Sequence, residues 1–263
     1  MIEIPAFDTK KELFDFFVKN KERLIAQKKS VMKHADCFSC VTPKELIVSK
    51  SISTDKEDIT VKVVINTTNL MDSHSDVHLP GLWSKSLQEN KMIMHLQEHN
   101  MSFDKIIADS DELKAYTKSY TWKELGYSFS GKTEALIFDS NIKKERNPFM
   151  FKQYAFGYVK NHSVGMYYVK LILAINDEDY GAEYEAWEKY YPEIANKERA
   201  DELGLFWAIR EAKIVEGSAV PLGSNWATPT LDIKCQPPDG TDDEPPDGTR
   251  KIDINKLIKE LKK

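Results

Sequence analysis

The chain has 263 residues, 41% of them hydrophobic and 30% charged, which is enough for one large domain or two small ones with an apolar core. Its formal net charge of −5 argues against a general nucleic-acid binder, because such proteins need excess Lys and Arg to neutralise phosphates. No apolar run approaches the roughly 20 residues that span a bilayer. The N-terminal residues also lack the basic and apolar regions of a signal peptide, so we expect a cytosolic protein.

The N-terminal part of the chain predicts an amphipathic helix over residues 8–32. Thr9 and Glu12 form a capping box, in which each side chain satisfies a backbone N–H at the helix start. Apolar side chains recur at helical spacing through Leu13, Phe16, Phe17, Leu24 and Ile25. Such a helix could dock on a partner, but packing on its own domain is the favoured interpretation. Residues 1–40 are therefore assigned to a helical extension.

Residues 41–235 predict strands with a few helices between them. Runs rich in Val, Ile and Thr predict strands at 45–53, 58–67, 113–120, 133–138, 165–175 and 213–220. Helical patterns cover 148–161 and 181–202. Because strict β-α-β alternation is absent, we expect an α+β fold, with a β-barrel or sandwich decorated by helices.

The C-terminal part changes character sharply. The sequence Pro-Pro-Asp-Gly-Thr occurs at 237–241 and again at 245–249, and acidic residues lie between the two copies. Residues 236–250 have almost nothing to bury and are predicted to be an acidic Pro/Gly linker. Residues 251–263 carry apolar side chains at helical spacing and predict a short amphipathic helix.

Two zinc-binding arrangements need to be weighed. His95-Leu-Gln-Glu98-His99 matches the H-x-x-E-H motif of one class of metallopeptidase, in which the glutamate is the general base. That motif requires a helix and a third ligand, and no third ligand is obvious. His34, Cys37, Cys40 and Cys235 could form a second set, although three reduced cysteines are the more common interpretation.

A serine near the middle of the chain is a candidate nucleophile. Ser163 follows a predicted helix and precedes Val164, Gly165 and a predicted strand, so we expect it where the chain reverses direction. A hydroxyl held outward at such a point can attack a substrate, and a nearby glycine lets backbone N–H groups approach an oxyanion. Most Ser-x-Gly triplets are simply turns, so this motif alone is weak.

Four segments read in order give a more specific pattern. They are Asp72-Ser-His-Ser-Asp76 leading to Pro80-Gly81-Leu-Trp83, Met92-Ile-Met-His-Leu-Gln-Glu-His99-Asn100, Ser163-Val-Gly165, and Glu216-Gly-Ser218-Ala-Val220-Pro221. This ordered set resembles the prohead (capsid-maturation) proteases of tailed bacteriophages. The resemblance covers roughly residues 45–230.

The resemblance implies a serine endopeptidase related to the herpesvirus assemblins, with an α+β fold that is mainly an antiparallel β-barrel surrounded by helices. Ser163 matches the nucleophile, His99 its base and Glu216 an acidic third member of the triad. His74 and His78 are alternative partners for His99, because assemblins use a second histidine in that role.

The implied partners are phage scaffold and major capsid proteins, cleaved inside the prohead in the host cytoplasm, and self-cleavage is expected. The resemblance also implies a homodimer or higher oligomer, with no cofactor, metal, membrane or nucleic-acid partner. One alternative is a non-catalytic capsid assembly or scaffolding protein, since Ser73, His74 and Ser75 stand where the family usually has an Arg and a Gly. The zinc metallopeptidase using His95, Glu98 and His99 is the other alternative.

Overall fold

Two β-sheets and the helices packed on them give the chain a mixed α+β architecture. The computed structural model describes residues 4–32 and 54–235. The helices are α1 (Lys10–Lys19), α2 (Lys21–Ser30), α3 (Ser84–Glu89), α4 (Pro148–Ala155), α5 (Gly181–Tyr190) and α6 (Lys197–Leu203). The strands are β1 (Asp58–Thr67), β2 (Asp76–His78), β3 (Met94–Gln97), β4 (Ile106–Ala108), β5 (Leu113–Thr121), β6 (Lys132–Lys143), β7 (Asn161–Ile175), β8 (Leu205–Val220) and β9 (Thr230–Cys235).

The first sheet is antiparallel, with the strand order β5-β6-β1-β9. Strand β1 is buried on its inner face because Val and Ile occupy alternate positions, and side chains of alternate residues point to the same face. The inner-face residues Ile59, Val61, Val63 and Ile65 are fully buried. This sheet therefore supplies one wall of the core.

The second sheet is built around β8. Strand β7 pairs antiparallel with β8 over nearly its whole length, while β2 and β3 pair with it in parallel and β4 pairs with β3. In this register Ser163 lies opposite Ser218, and Gly165 lies opposite Glu216. The β7–β8 pair thus brings together two segments that are about fifty residues apart in the sequence.

The two sheets face one another across a single large core, and the predicted closed barrel is wrong for the described residues. Val63 and Phe138 from the first sheet share that core with Val164 and Ile214 from the second. Closing a barrel requires every strand to pair on both edges. Here β5 and β9 end the first sheet, and neither is paired with a strand of the second.

The predicted N-terminal helix begins where expected, but the structure has two helices in its place. The Thr9–Glu12 capping box is present, but Asn20 divides the predicted helix into α1 and α2. Phe14, Phe17 and Leu24 join the main core cluster. The helices therefore pack on their own domain, which was the favoured interpretation.

Several predicted bounds also change. Strand β7 begins four residues before the predicted start at residue 165, and β8 begins at Leu205, well before residue 213. The predicted helix at 148–161 ends at Ala155, and the one at 181–202 becomes α5 and α6 on either side of a short turn that contains Pro192. The predicted segments 45–53, 236–250 and 251–263 lie outside the described residues. Among the residues that are described, no helix is both long and apolar enough to cross a membrane.

Candidate active site on the β7–β8 strand pair

Ser163 lies inside a strand, as the third residue of β7, and not at the chain reversal predicted from the sequence. Val164 belongs to the core cluster, so strand alternation turns Ser163 and Gly165 to the opposite face of the sheet. Ser218 and Glu216, which lie directly across from them, share that face. Directly opposed residues have Cβ atoms roughly 5 Å apart. The Ser163 side chain is therefore a close neighbour of Ser218.

Glu216 is almost completely buried on this face and is held by two hydrogen bonds. The His99 ring donates from Nδ1 to Oε1 at 2.6 Å, and the Ser218 hydroxyl donates to Oε2 at 2.6 Å. The Glu216 side chain is only 1% exposed. A buried carboxylate is tolerated when its oxygens receive donors of this kind.

The Glu216 carboxylate lies against Gly165. A Cβ atom added at Gly165 would lie 1.9 Å from Glu216 Oε1 and 2.5 Å from Met32 Cε. The sequence suggested that Gly165 shapes an oxyanion region. In the structure, the absence of a side chain at Gly165 leaves space for the Glu216 carboxylate.

His99 reaches the strand pair from a tight turn that follows β3. Asn100 N–H donates to the Gln97 carbonyl at 3.0 Å, and the two central residues have positive φ angles, 54° at Glu98 and 56° at His99. Positive φ at both central positions defines a type I′ turn, which Asn and Gly usually occupy. A left-handed conformation costs a residue with a side chain roughly 1–2 kcal/mol. The surroundings must therefore hold this turn in place.

The hydrogen bond to Glu216 determines the tautomer of His99. A carboxylate only accepts hydrogen bonds, so Nδ1 carries the proton and, in the neutral ring, Nε2 carries the lone pair. The His99 side chain is 11% exposed. Within the described residues no direct hydrogen bond joins Ser163 to His99. The arrangement comprises an oriented imidazole and a hydroxyl on one face of the sheet.

His74 and His78, the alternative partners for His99, line a small cavity together with Ser163, on the side of Asn66 and Asp72. The His78 ring bonds through Nδ1 to the Asn66 side chain at 2.9 Å, and its burial lowers the pKa of His78 to about 4. His74 lies 4.0 Å from the Asp72 carboxylate. The residue that the structure places on His99 is Glu216.

A second buried polar cluster surrounds Asp76. Lys28 from α2 forms an ion pair with Asp76 at 2.5 Å, and the Tyr168 hydroxyl donates to the other carboxylate oxygen at 2.8 Å. Burial, with the nearby Asp76 charge, raises the pKa of Asp72 to about 7. Asp72 also accepts the backbone N–H groups of His74 and Asp76, so it closes the loop before β2. This cluster ties the N-terminal helices to the second sheet.

His95 belongs to a third network that is incompatible with the helical zinc motif. It lies in strand β3, where its ring bonds to Ser140 at 3.0 Å and to the Tyr154 hydroxyl at 3.0 Å. Tyr154 also bonds to His162 at 2.9 Å, and His162 Nδ1 donates to the Thr228 carbonyl. The His95 ring thus faces the core, whereas His99 faces the Glu216 side of the sheet. Throughout residues 4–32 and 54–235, no three His, Cys, Asp or Glu side chains form a metal-binding cluster.

The second proposed zinc set lies largely outside the described residues. His34, Cys37 and Cys40 fall in the segment between residues 32 and 54, and Cys235 is described only as the last backbone position of β9.

A groove of about 380 Å³ opens between α4 and the ends of β3, β7 and β8. Glu98 precedes His99 at one wall, and Asn161 lies two residues before Ser163 at another. Phe149 and Tyr158 are both more than half exposed at its rim. The groove is therefore wide enough for a side chain or an extended segment of another molecule.

Sequence reasoning missed Ser218 and Lys28 as contributors to these clusters. Ser218 lies two residues after Glu216, which in a strand places both side chains on one face, so that spacing was a usable signal. Nothing in the sequence links Lys28 to Asp76, because the contact depends on how α2 packs.

Comparisons with protein-family models, with curated proteins and with solved structures find no match to this chain.

Proposed function

We propose that this protein is a serine endopeptidase in which Ser163 is the nucleophile, His99 its general base and Glu216 the residue that orients His99. The 2.6 Å hydrogen bond from His99 Nδ1 to Glu216, on the face of the strand pair that carries Ser163, supports this proposal most strongly. A carboxylate on one ring nitrogen leaves the other as the base, which is how Ser-His-acid triads work on several unrelated folds.

The proposed reaction is acyl transfer followed by hydrolysis. The Ser163 hydroxyl oxygen attacks the peptide carbonyl carbon while His99 takes its proton, and His99 then gives that proton to the departing amine. The resulting ester on Ser163 is hydrolysed by water, with His99 again as the base. Glu216 keeps the imidazole in the required tautomer and stabilises its protonated form.

Ser163 is a better nucleophile candidate than Ser218. Ser218 is fully buried, and its hydroxyl proton is already donated to the Glu216 carboxylate. Ser163 lies on the same face and is 6% exposed. On this proposal the polypeptide substrate binds in the groove whose walls include Asn161, two residues before Ser163, and Glu98, directly before His99.

The finer assignment is that the enzyme matures proheads, cleaving phage scaffold and capsid-protein precursors and itself. Its support is the ordered set of segments that resembles the prohead proteases, because three of those segments meet in one cluster. On this proposal the fold is a relative of the assemblins, in an open two-sheet form. The enzyme acts as a dimer or higher oligomer inside the prohead.

Co-expression with the capsid and scaffold proteins of the same phage tests this function. Intact-mass measurement would compare the wild type with Ser163→Ala and with Ser119→Ala, which removes an exposed hydroxyl from β5. We expect processed products with the wild type and Ser119→Ala only, and equal processing in the presence of a chelator.

Three results would contradict the proposal. Processing that survives Ser163→Ala would exclude Ser163 as the nucleophile. Processing that stops with the chelator would favour a metallopeptidase. Intact proteins in every sample would favour a non-catalytic assembly protein.

A further inference from the structure

The Ser218 hydroxyl makes two hydrogen bonds that join both parts of the proposed catalytic pair. It donates its proton to Glu216 Oε2 at 2.6 Å and accepts the backbone N–H of His99 at 3.0 Å. A serine hydroxyl has one proton to donate and lone pairs to accept with, so both contacts can form at once. Ser218 is fully buried, so bulk water does not compete for these bonds.

We propose that Ser218 is a positioning residue, which ties the turn carrying His99 to the carboxylate that orients its ring. This inference rests on the proposed function, because it assigns Ser218 a part in activating Ser163. Ser218 touches no reacting atom in this scheme and acts only through Glu216 and His99.

The division of the carboxylate oxygens supports this role. Glu216 Oε1 receives the His99 ring and Oε2 receives Ser218, so the plane of the carboxylate is fixed by two donors from different directions. Gly165 provides the space in which the carboxylate lies. With the Ser218 donor removed, the carboxylate could rotate about its last side-chain bond and the ring would lose its fixed acceptor.

The backbone of the turn supports it as well. Glu98 and His99 hold positive φ angles that side-chain-bearing residues rarely adopt, and such conformations persist only where neighbouring groups over-determine them. Two bonds from β8 restrain this turn, one from Glu98 N–H to the Ala219 carbonyl and one from His99 N–H to Ser218 Oγ. Loss of the second bond lets the turn relax and shifts the imidazole from its position against Glu216.

Ser218→Ala tests the proposal, and Ser218→Thr and Ser140→Ala are the matched variants. Thr keeps the hydroxyl. Ser140→Ala removes an equally buried hydroxyl that bonds to a different histidine, His95. The readouts are the rate at which a fluorophosphonate probe labels Ser163 and the ¹H–¹⁵N resonance of the His99 Nδ1–H group, with a melting curve to confirm folding.

We expect Ser218→Ala to slow labelling about 10- to 100-fold, the size of effect that follows a displacement of about 1 Å in a catalytic group. Its Nδ1–H resonance should move or broaden, while Ser218→Thr recovers most of the rate. Ser140→Ala should leave both readouts near wild type. Wild-type labelling and resonance in Ser218→Ala, or an equal loss in Ser140→Ala, would overturn the proposal.

The experiment distinguishes failure of the proposed peptidase function from failure of the positioning role of Ser218. If Ser163 of the wild type is never labelled, the proposed function fails, whereas the resonance still reports whether Ser218 positions His99. An unchanged resonance in Ser218→Ala, with Ser163 labelled normally, would leave the peptidase standing and exclude the positioning role.

Discussion

At the residue scale, the candidate site lies where three side chains on one face of the β7–β8 pair meet the turn that carries His99. Glu216 and Ser218 point the same way because they are two residues apart in β8, and β7 adds Ser163 opposite Ser218. His99 then completes the cluster through its ring and its backbone N–H. The two-residue period of the strands thus brings an acid and two hydroxyls together on one buried face.

The charge of Glu216 should matter more than its shape. We expect Glu216→Gln to keep the fold but to reduce the rate of Ser163 labelling by on the order of 10³- to 10⁴-fold, because the amide neither stabilises an imidazolium nor reliably accepts from Nδ1. Labelling kinetics and a far-UV circular dichroism spectrum check this prediction. Glu185→Gln, on the exposed side of α5, is the control. Equal rates in Glu216→Gln and the control would remove Glu216 from the mechanism.

Gly165 should be intolerant of even one methyl group. In Gly165→Ala the new Cβ would lie 1.9 Å from Glu216 Oε1, so the carboxylate must leave its place against the strand. We expect a lower melting temperature and a labelling rate reduced at least as much as in Ser218→Ala. Ser119→Ala, at an exposed position of β5, is the control. Normal labelling of a Gly165→Ala protein would mean that the position of the Glu216 carboxylate is unimportant for labelling.

At the scale of elements, α2 is held to the second sheet by a buried ion pair. Lys28 reaches Asp76, whose side chain is fully buried, and its ammonium also lies 5.7 Å from the centre of the Trp207 ring. Buried pairs are costly to break, because the remaining charge has no compensation. The contacts of Lys28 therefore make α2 contribute to the stability of the domain on which it packs.

Lys28→Met should lower the free energy of unfolding by about 3–5 kcal/mol, since it leaves Asp76 charged beside Asp72 in the interior. Urea denaturation measures this difference. Lys29→Met, one residue further along α2 on an exposed position, should change it by less than about 0.5 kcal/mol. Adding Asp76→Asn to Lys28→Met should restore part of the loss. A Lys28→Met protein as stable as wild type would contradict this account of the cluster.

Local patterns predicted the elements better than their extents. The Val-rich alternation of β1 gave its bounds correctly, and the Thr9–Glu12 capping box marked the start of α1. Strand β7 runs further towards the N-terminus because Asn161 to Val164 pair with β8, a contact that local sequence does not reveal. The same long-range pairing is why Ser163 lies within a strand and not at a turn.

At the scale of the whole molecule, three buried histidines couple folding to pH. Burial lowers the pKa of His78 and His162 to about 4, and that of His95 well below its usual 6.5. The Tyr154 hydroxyl lies between the His95 and His162 rings. It donates its one proton to one ring and accepts a hydrogen bond from the other, so every donor has an acceptor when both rings are neutral. Protonating either ring would leave a buried donor unmatched.

The free energy of unfolding should therefore fall as the pH falls from 6.5 to 4. Between these pH values the histidines are protonated in the unfolded chain but remain neutral in the folded protein. The free energy of unfolding therefore falls by roughly 3 kcal/mol for each of His78 and His162. Asp72 acts in the opposite direction. Its raised pKa means that its stabilising contribution is lost as the pH rises from 3.8 to about 7, which offsets part of the histidine effect.

Urea midpoints at pH 7, 6, 5 and 4.5 measure this dependence. His162→Gln should be less stable at pH 7 but show a shallower fall towards pH 4.5, because one of the titrating groups is gone. A wild-type protein whose midpoint is constant across this range would contradict the neutral-histidine network.

The overall topology could be predicted only in part. Alternating patterns and interposed helices identified an α+β fold, but a closed barrel and an open pair of sheets use the same strands with the same inward-facing residues. The difference lies in which edges pair, and β5 and β9 carry no local signal of their unpaired edges. The His99–Glu216 contact was anticipated from the ordered segments, and the two-residue spacing of Ser218 from Glu216 carried a local signal, whereas the left-handed turn at Glu98 and His99 depends on packing that one sequence does not encode locally.

Covalent labelling with a fluorophosphonate probe tests whether Ser163 is a nucleophile activated by His99. Wild-type protein and His99→Ala would be treated in parallel, digested and mapped by mass spectrometry. The account predicts one modified residue, Ser163, in the wild type and its loss in His99→Ala, because the hydroxyl is nucleophilic only beside an oriented base. An unmodified Ser163, modification of a different serine, or equal labelling without His99 would contradict it.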